Sequence, residues 1–232
     1  SQRTSSCWPS RTTAAGPPHG AWEIRQTQQH PVAAEANHRI LEDLDGGVNS
    51  LALRLDVGGA GAVDGVVIGG IDDVATLLDG VYLDLVSVVL EAGPHFAAAA
   101  DLLIEIWDRN GVSVDERRGN LGADPLGALA AGGRLPGGLA PTLSDAAELA
   151  VSTAAWPHVQ AIHVDTAPYV DAGASEAEEL AIMLAAGVEY LGALIDAGLA
   201  VDVAATQLGF TLSADADVFA TIAKLRAARR LW

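Results

Sequence analysis

Short strand-like runs and longer helical patterns alternate through most of this chain. Val48 to Asp56 puts Leu51, Leu53 and Leu55 on one face and Ala52, Arg54 and Asp56 on the other, the two-residue period of a strand. Val86 to Leu90 is a β-branched run, Arg118 to Ala123 a weaker strand pattern, and Val159 to Asp165 and Gln207 to Leu212 supply two more. Helical patterns fill the gaps. Val32 to Asp45 carries an apolar stripe behind Pro31, where a missing N–H costs little, and stops at Gly46-Gly47. Others run from Asp72 to Leu78, Phe96 to Asn110, Thr142 to Ala154, Ser175 to Ala197 and Ala216 to Trp232.

Such alternation implies right-handed parallel units, and repeats of about 35–45 residues suit a barrel or a doubly wound sheet. Five strands are too few to close an eight-stranded barrel. The expectation is an α/β fold: a partial (β/α)8 TIM-type barrel of about five β/α units over residues 22–232, an incomplete piece of a larger barrel. Residues 1–21, with Gly16, Pro17, Pro18 and Gly20, show no period and are expected to form an extended N-terminal arm.

Half of the 232 residues are hydrophobic (50%), enough for a sizeable core, and the low aromatic content, 5%, fits Ala-rich helices over buried parallel strands. Lys and Arg number 13 and Asp and Glu 30, a net charge of −17. Phosphate backbones and anionic membrane surfaces repel such a chain, so neither nucleic acid nor membrane is an expected partner. Cys7 is the single cysteine, which excludes an internal disulfide framework and a cysteine-based zinc site and suits a reducing, cytoplasmic setting. No apolar run approaches the about 18 residues of a membrane span, and the first 20 residues lack the apolar stretch of a secretory signal.

Few motifs carry chemistry. Gly58-Gly59-Ala60-Gly61 follows the first strand, but the glycine spacing of a nucleotide loop fails and no Lys-Ser/Thr follows, so a βα loop is expected. His163 and Asp165 stand two apart and share a strand face. They could supply two metal ligands, but no third is identifiable, and a polar pair on an inward face is the favoured reading. Glu176, Glu178 and Glu179 could be paired carboxylates for acid–base work. They are read instead as a helix start, where the dipole favours anions, with nothing nearby to perturb them. No Ser-His-Asp or Gly-x-Ser-x-Gly arrangement is present. No metal site is expected.

The two-residue period also predicts which way strand side chains face. Arg54, Glu91, His163, Asp165 and Gln207 are expected on the barrel axis, with Arg54 and His163 paired to Glu91 or Asp165. Ile162, Val164, Leu208 and Phe210 are expected toward the helices.

Several segments together resemble the acyl-CoA-binding barrel of the methylmalonyl-CoA mutase family. Trp22-Glu23-Ile24-Arg25-Gln26 is similar to the family's Trp-x-Ile-Arg-Gln entry segment, and residues 72–80, from Asp72-Asp73 to Asp79-Gly80, to the stretch before its second strand. Asp171 to Ala174 and Glu189-Tyr190 match the region after its fourth strand. Residues 223–232, from Ala223-Lys224 to Leu231-Trp232, are the most specific match.

By that resemblance, the family's catalytic side chains fall on positions unable to do their work. The Tyr over the reacting acyl group falls on Pro17. The Gln-Asn pair falls on Gly122 and Ala123, ahead of Asp124; the substrate-carboxylate Arg on Gly132; the fourth-strand His on Pro168; and a second Arg on Gln207. Gly132 cannot form a bidentate contact with a carboxylate, and Pro168 cannot polarise a carbonyl or donate a proton. His163 and Asp165 fall where the family has small serines beside the CoA arm, so they are expected to fill that path. The family's cobalamin string, Asp-x-His-x-x-Gly, does not occur.

The resemblance therefore implies a non-catalytic small subunit of a heterodimeric, cobalamin-dependent methylmalonyl-CoA mutase. This chain would hold no catalytic residue and no cofactor and act as a structural scaffold. A large catalytic partner subunit would carry adenosylcobalamin and interconvert methylmalonyl-CoA and succinyl-CoA. Two alternatives stay open: an active acyl-CoA mutase barrel of altered specificity, against which Pro168 argues, and an acyl-CoA-binding module without chemistry.

Overall fold

The computed structural model describes residues 22–59, 61 and 63–232; the expected arm, Pro17 included, lies outside the described residues. The described chain enters through β1 (Arg25–Gln28), passes α1 (Ala33–Asp45) into β2 (Ser50–Val57), and adds the short β3 (Val66–Ile68) before α2 (Ile71–Leu77). β4 (Ser87–Glu91), α3 (Phe96–Arg109), β5 (Gly119–Ala123), α4 (Pro125–Gly132) and α5 (Leu139–Thr153) follow. Then come β6 (Val159–Asp165), α6 (Ala167–Asp171), α7 (Glu176–Asp196), α8 (Val201–Thr206), β7 (Leu208–Thr211) and α9 (Val218–Leu231).

Every strand pair is parallel, and the order is β1-β2-β4-β5-β6-β7, with β3 on the C-terminal end of β2. Apart from β3, neighbours in the chain are neighbours in the sheet. A doubly wound sheet reverses its order; this one does not, and it curls as a half-barrel. Among the described residues the wall has six strands where the sequence pattern shows five, and β3 besides. Arg25-Gln26-Thr27-Gln28 has no apolar face, and Val66-Val67-Ile68 is three residues long, so neither shows in the sequence pattern.

The convex face is apolar because alternate strand residues point outward under helices. Leu51, Leu53, Leu55, Val88, Leu90 and Leu121 pack with Ile40, Leu77, Leu103 and Trp107. A second cluster joins Ala123, Ile162, Val164 and Leu208 to Ala146, Ala150, Ala186 and Tyr190, with Phe210 packed against it. The alanines let helix backbones approach the sheet closely. Among the described residues, no helix is long and apolar enough to cross a membrane.

The pairing of β5 slips. Asn120 pairs with Gln160, but Ala123 pairs with Ile162, three steps against two. Gly119 (φ 136°) and Gly122 (φ 75°) make this possible. A Cβ at Gly119 would stand 1.8 Å from the Val88 carbonyl oxygen, and one at Gly122 2.0 Å from that of Leu90.

Candidate functional site

The concave face is polar. Parallel pairing sets Arg25, Ser50 and Ser87 in one row and Arg54 beside Glu91 in another, while His163 pairs with Gly209 and Asp165 with Thr211. Two depressions share this face, and His163 lines both.

At the N-terminal ends of the strands lies a cleft of about 790 Å³, lined by Arg25, Ser87, Asn120, Gln160, His163 and Gln207 among others. Arg25 Nε donates to Ser50 Oγ at 2.7 Å, and Ser87 Oγ lies 2.7 Å from both Ser50 Oγ and Glu23 Oε2. Asn120 Nδ2 donates to the Ile162 carbonyl at 2.9 Å and so bridges the β5 irregularity, while Gln160 Nε2 donates to the Leu208 carbonyl at 3.0 Å across β6 and β7. Gln207 is buried, and its Oε1 finds no partner among the described residues.

At the C-terminal ends lies a smaller cavity, about 160 Å³, walled by Arg54, Glu91, Asp124, His163, Asp165 and Pro168 among others. Barrel enzymes place their chemistry at this end. Arg54 Nε bonds Glu91 Oε2 at 3.1 Å, and Arg54 Nη1 reaches Gln29 Oε1 at 3.2 Å. His163 forms no ion pair with Glu91 or Asp165. Its Nε2 shares a 2.6 Å hydrogen bond with Thr211 Oγ1. Burial pushes the His163 pKa below its ordinary value, and Asp165 and Glu91 offset this only in part. Asp165 Oδ1 instead accepts the Ala167 N–H at 3.0 Å.

Asp124 organises the rim of this cavity. Its Oδ1 accepts from the Tyr190 hydroxyl at 2.5 Å and from Gly127 N at 3.0 Å, and its Oδ2 accepts from Asp165 N at 3.1 Å. One carboxylate thus ties β5 and α4 to β6 and α7. Burial pushes its pKa up to about 6 against those three hydrogen bonds. Burial and the adjacent Asp124 also push up the Tyr190 phenol.

The degenerate positions do not converge. Gly122 and Pro168 wall the C-terminal cavity, while Gln207 belongs to the N-terminal cleft. Gly132 ends α4 with open space beyond its Cα. Nor do His163 and Asp165 fill the concave face, as the sequence led us to expect; the large cleft remains beside His163. Among the described residues, no three His, Cys, Asp or Glu side chains are placed to hold a metal ion.

The acidic helix start needs correction. Glu178 does form a capping box with Ser175. Glu179, however, is fully buried, and hydrogen bonds from Lys224, Thr166 and Ser213 hold its pKa below the ordinary value against that burial. Its Oε1 accepts from Thr166 Oγ1 at 2.6 Å and Ser213 N at 2.7 Å, and its Oε2 pairs with Lys224, which also meets Glu176 Oε2 at 2.5 Å. Lys224 sits in helical register with buried Thr221 and Ala228, the one sequence signal that it points inward. Tyr190 likewise sits in register with Met183, Ala186 and Leu194 on α7, whereas Asp124 and Thr211 carry no such signal.

A sequence profile described as methylmalonyl-CoA mutase matches residues 11–232. The chain is 47% identical over 214 residues to the methylmalonyl-CoA mutase small subunit of Streptomyces virginiae, covering 92% of this chain and 33% of that protein. It is 32% identical over 221 residues to the small subunit of Propionibacterium freudenreichii subsp. shermanii, covering 95% and 33%. Against the large subunit of Streptomyces virginiae it is 30% identical over 225 residues, covering 91% and 31%. The chain spans about a third of the length of these curated relatives.

Proposed function

Because the chain belongs to the methylmalonyl-CoA mutase family, we propose that it is barrel wall from a non-catalytic small subunit, a scaffold for a large catalytic subunit. One observation carries the reading. Gly122 and Pro168 stand on the C-terminal cavity where the family resemblance calls for an amide and an imidazole. Neither side chain can polarise a carbonyl, donate a proton or bind a carboxylate. The higher identity to the Streptomyces virginiae small subunit, 47% against 30% for its large subunit, supports the same assignment.

The isomerisation of methylmalonyl-CoA and succinyl-CoA, and the adenosylcobalamin it uses, belong in this reading to the partner. The described histidines do not suit that cofactor. His163 already spends Nε2 on Thr211, and no histidine of the chain follows an aspartate by two positions. This chain's own residues do structural work. Asp124 and Tyr190 hold the C-terminal rim, and Lys224 and Glu179 lock α9 to α7.

The test is co-purification and assay. The natural protein is expected to come down with a longer, cobalamin-bearing chain, and mutase turnover is expected only when that chain is present. Turnover by the present chain alone overturns the scaffold reading.

A second reading is favoured by the open cleft and by Gln207 Oε1 on its wall, which has no partner among the described residues: an acyl-CoA-binding module without chemistry. Titration calorimetry with a CoA ester separates the two, because a scaffold gives no binding heat.

A further inference from the structure

The helix α4 is weakly anchored for an element that closes a cavity. Of its residues only Pro125 and Gly127 are buried, and the chain from Ala130 to Arg134 is exposed. Few buried contacts make local opening inexpensive. Yet Gly127, Ala128 and Ala131 form one wall of the C-terminal cavity, opposite Arg54, Glu91, His163 and Asp165. Behind the helix, Gly133 (φ 69°) and Gly138 (φ 94°) bound a largely exposed turn, and a Cβ at either would meet nothing. The C-terminal end of α4 can therefore swing on that turn.

Its N-terminal end hangs on one carboxyl group. Asp124 caps α4 through the Gly127 N–H, and the Tyr190 hydroxyl that donates to Asp124 itself accepts from Leu126 N at 2.8 Å. Two free N–H groups of the first turn thus end on this pair. The fit is close: a Cβ at Gly127 would stand 2.1 Å from Asp124 Oδ2. The bond from Asp165 N to the same oxygen ties the helix start to β6.

That group answers to protons. Its three donors favour the charge, while burial and the adjacent Asp165 carboxylate oppose it and prevail, lifting the pKa to about 6. Around it stand Tyr190 on α7 and Tyr169 on α6, whose phenols burial and Asp124 push up. Arg54, Glu91 and His163 lie across the cavity. The helix also packs on the short helical turn Gly93–His95, which carries the half-buried His95, and on α5, whose Asp145 and Glu148 are exposed. When α4 lifts, Asp124 meets water and returns to the ordinary carboxyl value, about 3.9. The closed state holds the proton more tightly than the open one, so opening becomes easier as pH rises from about 4 to about 6 and changes little above that.

We propose that α4 is a lid on the C-terminal cavity and that Asp124 is its latch, closed while the carboxyl group carries a proton and loosened when it ionises. The device is independent of what the cavity serves, so it stands or falls apart from the scaffold reading.

Amide hydrogen exchange of the full chain, followed by NMR and divided by each amide's intrinsic rate at the same pH, tests this. Opening at Gly127, Ala128 and Leu129 is expected to become about tenfold more frequent between about pH 5 and about pH 7.5, levelling off as Asp124 completes its titration. At every pH these amides are expected to open at least tenfold more often than that of Ile162 on β6, which donates to the Gln207 carbonyl at 3.0 Å. Asp124→Asn keeps a capping oxygen and is expected to abolish the pH dependence; Asp124→Ser serves if that variant does not fold. His95→Gln is expected to retain it. If opening of α4 in the parent stays flat or falls as pH rises, the latch is wrong. A pH response that persists in Asp124→Asn, or vanishes in His95→Gln, belongs to another group and overturns the proposal. If the α4 amides are protected as well as Ile162, they exchange only through global unfolding and α4 is no lid.

Discussion

Lys224 on α9 and Glu179 on α7 form an ion pair in which both side chains are almost completely shielded from water, 2% and 1% exposed. Breaking such a pair from one side strands a charge in the interior. Lys224→Met is expected to cost about 3–5 kcal/mol, and the double variant with Glu179→Met to recover much of that. Urea unfolding of the two single variants and the double variant checks it.

The same pair sets the pH limits of stability. Burial works against the Glu179 carboxylate, but hydrogen bonds from Lys224, Thr166 and Ser213 outweigh it and hold its pKa below the ordinary value. Its contribution is present above the unfolded-state value, about 4.3, and is lost as pH falls through the lower folded value. Lys224 is held above its ordinary range by Glu176 and Glu179 in spite of burial. Its contribution is present below about pH 10.4 and is lost as pH rises beyond that. Thermal unfolding midpoints across pH should fall on both flanks, and Lys224→Met should abolish the alkaline fall.

Asp124 runs the other way. Its folded pKa of about 6 lies above the ordinary carboxyl value, so this residue costs the fold stability as pH rises from about 4 to 6. Tyr190→Phe removes a donor that favours the ionised form and should move the titration upward. Carboxyl carbon shifts followed by NMR test both statements, and a midpoint near 4 in the parent contradicts the first.

Two glycines divide structure from lost chemistry. Gly122→Ala drives a Cβ into the Leu90 carbonyl oxygen at positive φ, and about 3 kcal/mol or more of stability is expected to go. Gly132→Arg meets open space and should change stability by only about 0.5 kcal/mol. It should also yield no mutase turnover, because Pro168 and Gln207 remain and catalytic groups act as a unit.

Strands that bury both faces were easiest to read. β6 runs over Val159–Asp165, the limits its sequence suggests, because Ala161, Ile162 and Val164 leave no other place for the segment. β1 was unreadable because its order comes from backbone pairing to β2 and not from its own side chains. The site was less legible for a similar reason. Thr211 lies 48 residues from His163, Tyr190 lies 66 from Asp124 and Lys224 lies 45 from Glu179. A carboxylate at a helix start looks solvated until the helix that buries it is in place. The pairing of Arg54 with Glu91 was accessible, since adjacent strands in register bring them side by side.

Along the main path of the sheet, with β3 set aside, strand order follows chain order, and this bears on how the wall is made. Each strand's partner has already left the ribosome when the strand itself emerges, so the sheet can lengthen by one β/α unit at a time. Within the described sheet, no strand from β2 onward waits for one encoded far downstream. The exposed edge moves forward with synthesis, and at any moment a single unpaired β edge faces the nascent chain. Assembly from the N-terminal side is thus written into the topology, and a stall after any helix would leave a shorter wall with the same inner architecture.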